Sequence, residues 1–170
     1  MAKTEFNLNY KNKLEIDTTG NNSLDDIQSA TWAPIAAGIQ TITPSAAETA
    51  DTTPYWTGEG FSDHDVTGKA VQFAITGHRV NGDAAQDFVA DKFIEVGDSL
   101  RTLARWTDPS GKQLVFSATL VSVVPFGGAA NVKQTFSFTL AANGKPQKVG
   151  NETTTTTLAA GTTTTTTNKA

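Results

Sequence analysis

The most reactive-looking stretch of this chain is Ser62-Asp63-His64-Asp65, where a hydroxyl, an imidazole and two carboxylates follow one another. These are the residue types of acyl transfer, in which a histidine base activates a serine and a carboxylate orients the histidine. That chemistry needs the groups to converge in space, and no oxyanion-type glycine elbow stands nearby. The segment therefore reads as a solvated loop. The other histidine, His78, stands beside Arg79 at the end of an apolar-alternating run, a surface or interface position. Asp63, His64 and Asp65 could gather an adventitious cation. A built metal site wants ligands on rigid elements, and adjacent residues of a strand point to opposite faces.

Other chemistry is excluded by absence. With 0 cysteines, the chain has no thiolate site, cysteine nucleophile or disulfide framework. Gly58-Glu59-Gly60 is not followed by a helix, and Gly127-Gly128 joins two apolar runs that read as strands. Neither makes a phosphate cradle. Asn151-Glu152-Thr153 fits a glycosylation acceptor, a match that means something only in a secreted protein. The expectation is no catalytic residue, no cofactor and no bound metal.

The elements that could position these residues are mostly strands. Glu5 to Ile16 places Phe6, Leu8, Tyr10, Leu14 and Ile16 at strand spacing, with Lys11-Asn12-Lys13 as a kink. Ser23-Leu24-Asp25-Asp26 can cap a short helical turn. Trp32 to Ile42 reads as a strand, with Pro34 requiring an edge position. Val71, Phe73 and Ile75 alternate with polar or small residues from Lys69 to Val80. Asp83-Ala-Ala-Gln86 has capping-box spacing and opens a helix over 83–96, with Ala85, Phe88, Val89 and Phe93 on one face. A meander follows: Leu100–Trp106, the Asp108-Pro109-Ser110-Gly111 turn, Gln113–Val124 containing Phe116, then Val132–Leu140 carrying Phe136 and Phe138. A turn at Asn143-Gly144-Lys145-Pro146 leads to a short last strand. The expected core is Val71, Phe73, Ile75, Phe88, Phe93, Phe116, Phe136 and Phe138.

One stretch resists this reading. Residues 44–68 carry Glu48, Asp51, Glu59, Asp63 and Asp65 with no Lys or Arg before Lys69, and they show no useful period. Loops of that length in compact domains are functional or disordered. The apolar residues in it, Tyr55, Trp56 and Phe61, are large aromatics of the kind that anchor contacts. Two alternatives are open: they fold back on their own core, or they dock on a neighbouring subunit.

The 170 residues suffice for one domain with extensions. The expected division is an N-terminal strand and arm (1–31), a β-domain (32–150) and a threonine-rich arm (151–170). Alone, that last arm cannot bury enough apolar surface to order itself, and the strand propensity of threonine would let it lie down as an added strand along a neighbour. A net charge of −4 is of the wrong sign for a duplex-binding footprint. No window is long and apolar enough to span a membrane, and the start Met-Ala-Lys-Thr-Glu-Phe has no apolar export region. A soluble protein made in a cytoplasm and not exported is expected.

The order of features from Trp32 to Val149 resembles the major tail, or tail tube, proteins of siphophages infecting Gram-positive bacteria. The likeness is carried by WAPIAAGIQTITP, the acidic loop ending FSDHDVTG, the strand GKAVQFAITGHRV, the capped helix DAAQDFVADKF, the long strand KQLVFSATLVSV and the closing NVKQTFSFTLAANGKPQKV, over roughly two thirds of the chain. The threonine-rich arm falls outside it. The resemblance implies a β-sandwich or half-barrel with one flanking helix, a long inter-strand loop and extended terminal arms. It implies hexameric rings that stack into a hollow tube in the virion, assembled in the host cytoplasm. The partners it implies are the chain itself, a tape-measure protein, tail terminator and distal tail proteins, with DNA only in passage and no membrane. The loop residues Glu48 to Asp65 named above would then contact other subunits. Acidic residues facing a lumen would also keep DNA from adhering. The rivals are a β-sandwich adhesin or carbohydrate-binding module stacking sugars on Tyr55 and Trp56, another phage structural protein such as a terminator or decoration protein, and a β-sandwich enzyme.

Overall fold

The computed structural model describes residues 6–149. The threonine-rich arm lies outside the described residues, as does the start of the N-terminal arm. The described chain is mainly β, with eight strands in one antiparallel sheet and a single α-helix. The strands are β1 (Lys13–Asp17), β2 (Trp32–Pro34), β3 (Ile39–Asp51), β4 (Asp65–His78), β5 (Arg101–Thr107), β6 (Gln113–Val124), β7 (Thr135–Ala142) and β8 (Gln147–Val149). The helix α1 (Ala84–Asp91) lies between β4 and β5. Sheet order is β2-β1-β5-β6-β7-β4-β3, and β8 pairs with β6.

The sheet is strongly curled. β2 and β3 sit at its two opposite edges, yet only residues 35–38 join them, and the chain from Pro34 to Ile39 spans at most about 18 Å. Aromatic packing gives the same answer. Phe73 on β4 stacks 5.3 Å from Phe116 on β6 and lies 6.3 Å from Trp106 on β5. In a flat sheet β4 and β5, three strand steps apart, would be separated by about 14 Å. The core fills this half-barrel with Leu14, Ile16, Ile35, Phe73, Ile75, Phe116, Leu120, Phe136, Phe138 and Leu140. Alternation explains the choice: on β7, Phe136, Phe138 and Leu140 are buried and the residues between them are not.

Helix α1 closes one end of the half-barrel. Asp83 caps it, accepting from the Gln86 backbone N–H at 3.0 Å. Ala85 and Val89 enter the core. The buried Gln86 side chain donates to the Ala37 carbonyl at 2.5 Å and accepts from the Val80 N–H at 2.8 Å, tying the helix to the β2–β3 link and to the segment that follows β4. Gly77 and Gly38 make the seam possible. A Cβ on Gly77 would sit 2.3 Å from the Gly38 carbonyl oxygen, so backbone takes the space of a side chain.

Several sequence expectations need correction. Residues 44–68 are a loop only in their middle: β3 continues to Asp51 and β4 begins at Asp65, which leaves 52–64 as the connection. Alternation failed to reveal these strands because both faces meet solvent. The helix is shorter than 83–96; beyond Asp91 only a 3-10 turn follows, at Lys92–Ile94. That turn swings Phe93 out of the helical register to 57% exposure, so Phe93 is not core, and Phe88 and Val71 are only half-buried. The segment 32–42 is two strands divided at Gly38, with Pro34 on the edge strand as its missing N–H requires.

Asn143-Gly144-Lys145-Pro146 does not reverse the chain. Ala142 pairs with Ala118 and Gln147 with Val115, so five steps forward match three steps back on β6. This is a bulge in one interrupted strand. Asn143 and Thr119 fasten it through side-chain hydrogen bonds, the Asn143 amide donating to Thr119 Oγ1 at 2.9 Å.

Candidate interaction surface

The residues expected to make contacts all fall on one arm. β4 pairs with β7 only from Gln72 to His78. Before Gln72 its neighbour is β3 alone, paired from Ala46↔Val71 to Asp51↔Asp65 with a register shift between Thr49 and Ala50. This two-stranded ribbon leaves the half-barrel for about 20 Å, six residue steps of strand. One further bridge, Pro54↔Ser62, carries it to a tip with a 3-10 turn at Trp56–Gly58 and left-handed backbone at Glu59 (φ 51°). Glu48, Asp51 and Asp65 lie on the ribbon; Tyr55, Trp56, Glu59, Phe61 and Asp63 lie at or near the tip. All are exposed, and Trp56 is fully so.

Local interactions hold this arm weakly. Lys69 Nζ reaches Glu48 Oε1 at 2.6 Å across the strands, but both side chains are about half exposed, and such pairs contribute at most about 1 kcal/mol. Thr67 donates to the Thr49 carbonyl at 3.2 Å. Opposing them, Asp51 stands directly across from Asp65, a like-charge pair that destabilises a ladder. A hairpin of two strands is marginal by itself in water. The arm thus presents a long ladder, three exposed aromatics and an excess of carboxylates without a core of its own. Within this chain the aromatics do not fold back; the docking alternative stays open.

The arrangement gives Ser62-Asp63-His64-Asp65 no triad geometry. Ser62 is engaged by its backbone in the bridge to Pro54, and His64 is exposed. Among the described residues no hydrogen bond joins these side chains, and no group of three His, Asp or Glu gathers at metal-binding distance. His78, at the barrel end of β4, has its Nδ1 3.3 Å from the Gln134 carbonyl, a structural contact at the start of β7.

Three features escaped the sequence reading. Asp17 is fully buried and organises the excursion from residue 18 to 31. Its carboxylate accepts from the backbone N–H of Thr31 (2.8 Å), Thr19 (3.0 Å) and Asn21 (3.0 Å) and from the Thr19 hydroxyl (2.7 Å). Burial pushes its pKa up, but the hydrogen bonds from Thr19, Thr31 and Asn21 together outweigh that and hold it below the ordinary carboxylate value. The signal available was Asp17-Thr-Thr-Gly20, an Asx-turn composition.

The second feature is a cleft of about 410 Å³ at the barrel seam, lined by Tyr10, Leu14, Ile35, Ile42, Phe73 and Trp106 among others. Trp106 Nε1 donates to Asn12 Oδ1 at 3.1 Å there. The third is a set of exposed apolar side chains, Phe93, Ile94 and Val96 in the segment after α1 and Phe126 just after β6.

No family model and no curated protein matches the chain. Its fold, however, has solved counterparts. One is a chain of the tail of an empty gene transfer agent particle, determined with helical refinement and C6 symmetry. The TM-score is 0.64 at 15% identity, over 85% of this chain and 100% of that one. Another is a chain of the virion of a native gene transfer agent particle, with TM-score 0.61 at 13% identity and the same coverage. The fold of this chain is thus one also found in gene transfer agent particles.

Proposed function

We propose that this chain is a structural virion protein that polymerises as stacked hexameric rings into a hollow tail tube. In this reading the tube houses a tape-measure protein, ends on tail terminator and distal tail proteins, and conducts DNA during ejection. The protein assembles in the host cytoplasm, does no catalysis and needs no cofactor. The observation that carries the reading is the β3–β4 arm, a solvent-exposed ribbon with an aromatic tip on a well-packed half-barrel. An isolated ribbon gains too little from its own contacts to be kept for its own sake, and exposed aromatic clusters mark association sites. The fold similarity to tail and virion chains of gene transfer agent particles supports the same assignment, and the sixfold symmetry of one such tail supports the ring order.

Negative-stain microscopy of the purified chain at high concentration is the test. Regular hollow tubes or stacked rings are expected. Replacing Ala46–Val71 with a two-residue turn between Ser45 and Gln72 should leave a folded subunit that forms none. Persistent monomers of the intact chain across salt and concentration overturn the reading.

A further inference from the structure

The chain holds two Asn-Gly pairs, Asn81-Gly82 and Asn143-Gly144, and we propose that both are sites of spontaneous deamidation that Asp87 and Thr119 hold unreacted in the folded subunit. The reaction is intramolecular. The glycine nitrogen gives its proton to hydroxide and attacks the asparagine Cγ. A nitrogen–carbon bond forms, the Cγ–Nδ2 bond breaks, and Nδ2 leaves as ammonia on taking a proton from water. The product is a five-membered succinimide, which water opens with no oxidation or reduction. Opening at Cγ gives aspartate; opening at the main-chain carbonyl gives isoaspartate, whose backbone is one methylene longer. Glycine after asparagine favours the attack because no Cβ shields the nitrogen. Crowding protects neither pair here. A Cβ on Gly82 or Gly144 would meet nothing within 4 Å, and both glycines have positive φ, 86° and 78°.

The two pairs are restrained at opposite partners of the reaction. At Asn81-Gly82 the nucleophile is held. The Gly82 N–H donates to the Asp87 carboxylate, 3.1 Å from Oδ2 and 3.4 Å from Oδ1, and Arg79 fixes that carboxylate in place at 2.5 Å. Removing the glycine proton would set a second negative charge against the carboxylate, a cost absent from the free peptide. At Asn143-Gly144 the electrophile is held. Asn143 Nδ2 donates to Thr119 Oγ1 at 2.9 Å, and the same hydroxyl donates to Asn143 Oδ1 at 3.1 Å. The Asn143 backbone N–H donates to the Ser117 carbonyl at 2.8 Å. The carboxamide is thus clamped to β6, and Nδ2 cannot leave until the clamp opens. What is protected is backbone geometry. Isoaspartate at 143 would lengthen the main chain inside the bulge that carries β7 into β8. At 81 it would lengthen the turn that sets Asp83 as the cap of α1.

The full chain, held folded at alkaline pH below its melting temperature and then digested for mass spectrometry, reads amide-to-acid conversion at Asn81 and Asn143 separately. Each should convert about tenfold or more slowly than in the same chain unfolded in urea, a factor within reach of one hydrogen bond. Thr119→Val keeps the side chain's shape without its hydroxyl. It should speed Asn143 about tenfold and leave Asn81 at the parental rate, and Thr119→Ser should restore slow conversion. Asp87→Ala should speed Asn81 alone by about the same factor, with Asp87→Asn, which keeps an acceptor but no charge, falling between. Equal rates in the folded and the urea-unfolded parent overturn the proposal. So does a substitution that leaves its own pair at the parental rate. A substitution that speeds both pairs alike overturns it too, because general loosening of the fold then explains the change. Should Asp87→Ala fail to fold, Asp87→Asn decides its site, and a parental rate at Asn81 sinks the assignment of Asp87.

Discussion

The two halves of β4 are one continuous strand living under opposite conditions. From Gln72 to His78 it is flanked by β3 and β7, and Phe73 and Ile75 are buried in the half-barrel. From Asp65 to Ala70 it has β3 alone and nothing beneath it. Backbone pairing with β3 runs through both halves, with one irregularity in each, between Ile39 and Thr41 and between Thr49 and Ala50. What differs is burial, the dominant favourable term in folding. The barrel half is held by its own chain, whereas the arm half finds no comparable contacts among the described residues. Substitutions should separate the two: large losses of subunit stability in one, near silence in the other.

The largest loss is expected at the barrel's centre. Phe116 is fully buried and stacked on Phe73. Phe116→Ala should lower unfolding free energy by about 3–5 kcal/mol, the range for truncating a core aromatic, read by urea or guanidinium titration. A loss under about 1 kcal/mol would mean that the half-barrel is not the cooperative unit.

Asp17→Asn tests the barrel's flank and should cost about 2–3 kcal/mol, because an amide cannot accept on both atoms from the donors converging there. Acid provides an independent check. A carboxyl whose folded pKa is lowered stabilises the fold above its unfolded value and loses that contribution as pH falls through the folded value. The parent should therefore destabilise below about pH 4, and the Asn variant should show a shallower acid limb. Equal acid limbs would show that Asp17 does not carry the titration.

Gly77→Ala probes the seam where β3 and β4 begin to part from the α1 pole. The added Cβ meets Gly38 backbone at 2.3 Å, and overpacking of this kind costs about 1–3 kcal/mol. A neutral result in thermal melts would mean that the seam opens without cost and that barrel closure is looser than its geometry implies.

Legibility in the sequence followed the same division. Where one face is buried, as on β7, alternation of Phe136, Phe138 and Leu140 gave strand and core directly. The capped helix start at Asp83 was equally plain, since capping is local chemistry. The arm was misread as a loop because a ribbon wet on both sides has no reason to alternate. Phe93 was misplaced because a 3-10 turn breaks the 3.6-residue period one step beyond the helix. The bulge at Asn143–Pro146 has turn composition, and only the pairing of both flanks with β6 distinguishes it. Glu48, Asp51, Tyr55, Trp56, Glu59, Phe61, Asp63 and Asp65 nonetheless stood out as a group, because carboxylates and large aromatics in a stretch without core are conspicuous by composition alone, and the structure places all of them on the arm.

The smallest expected effect on the subunit decides the comparison. Trp56→Ala with Phe61→Ala removes two large side chains from a tip that packs on nothing in its own chain, so unfolding free energy should shift by no more than about 0.5 kcal/mol. If the pair instead costs 2 kcal/mol or more in the dilute monomer, the tip has intramolecular partners and the two halves of β4 are not under opposite conditions. If the monomer is unchanged while pelleting is lost, the contacts that the barrel half finds within its chain are those that the arm half finds between chains. Measuring stability and assembly on the same preparation is therefore essential, since only the difference between the two readouts separates a docking residue from one that merely folds.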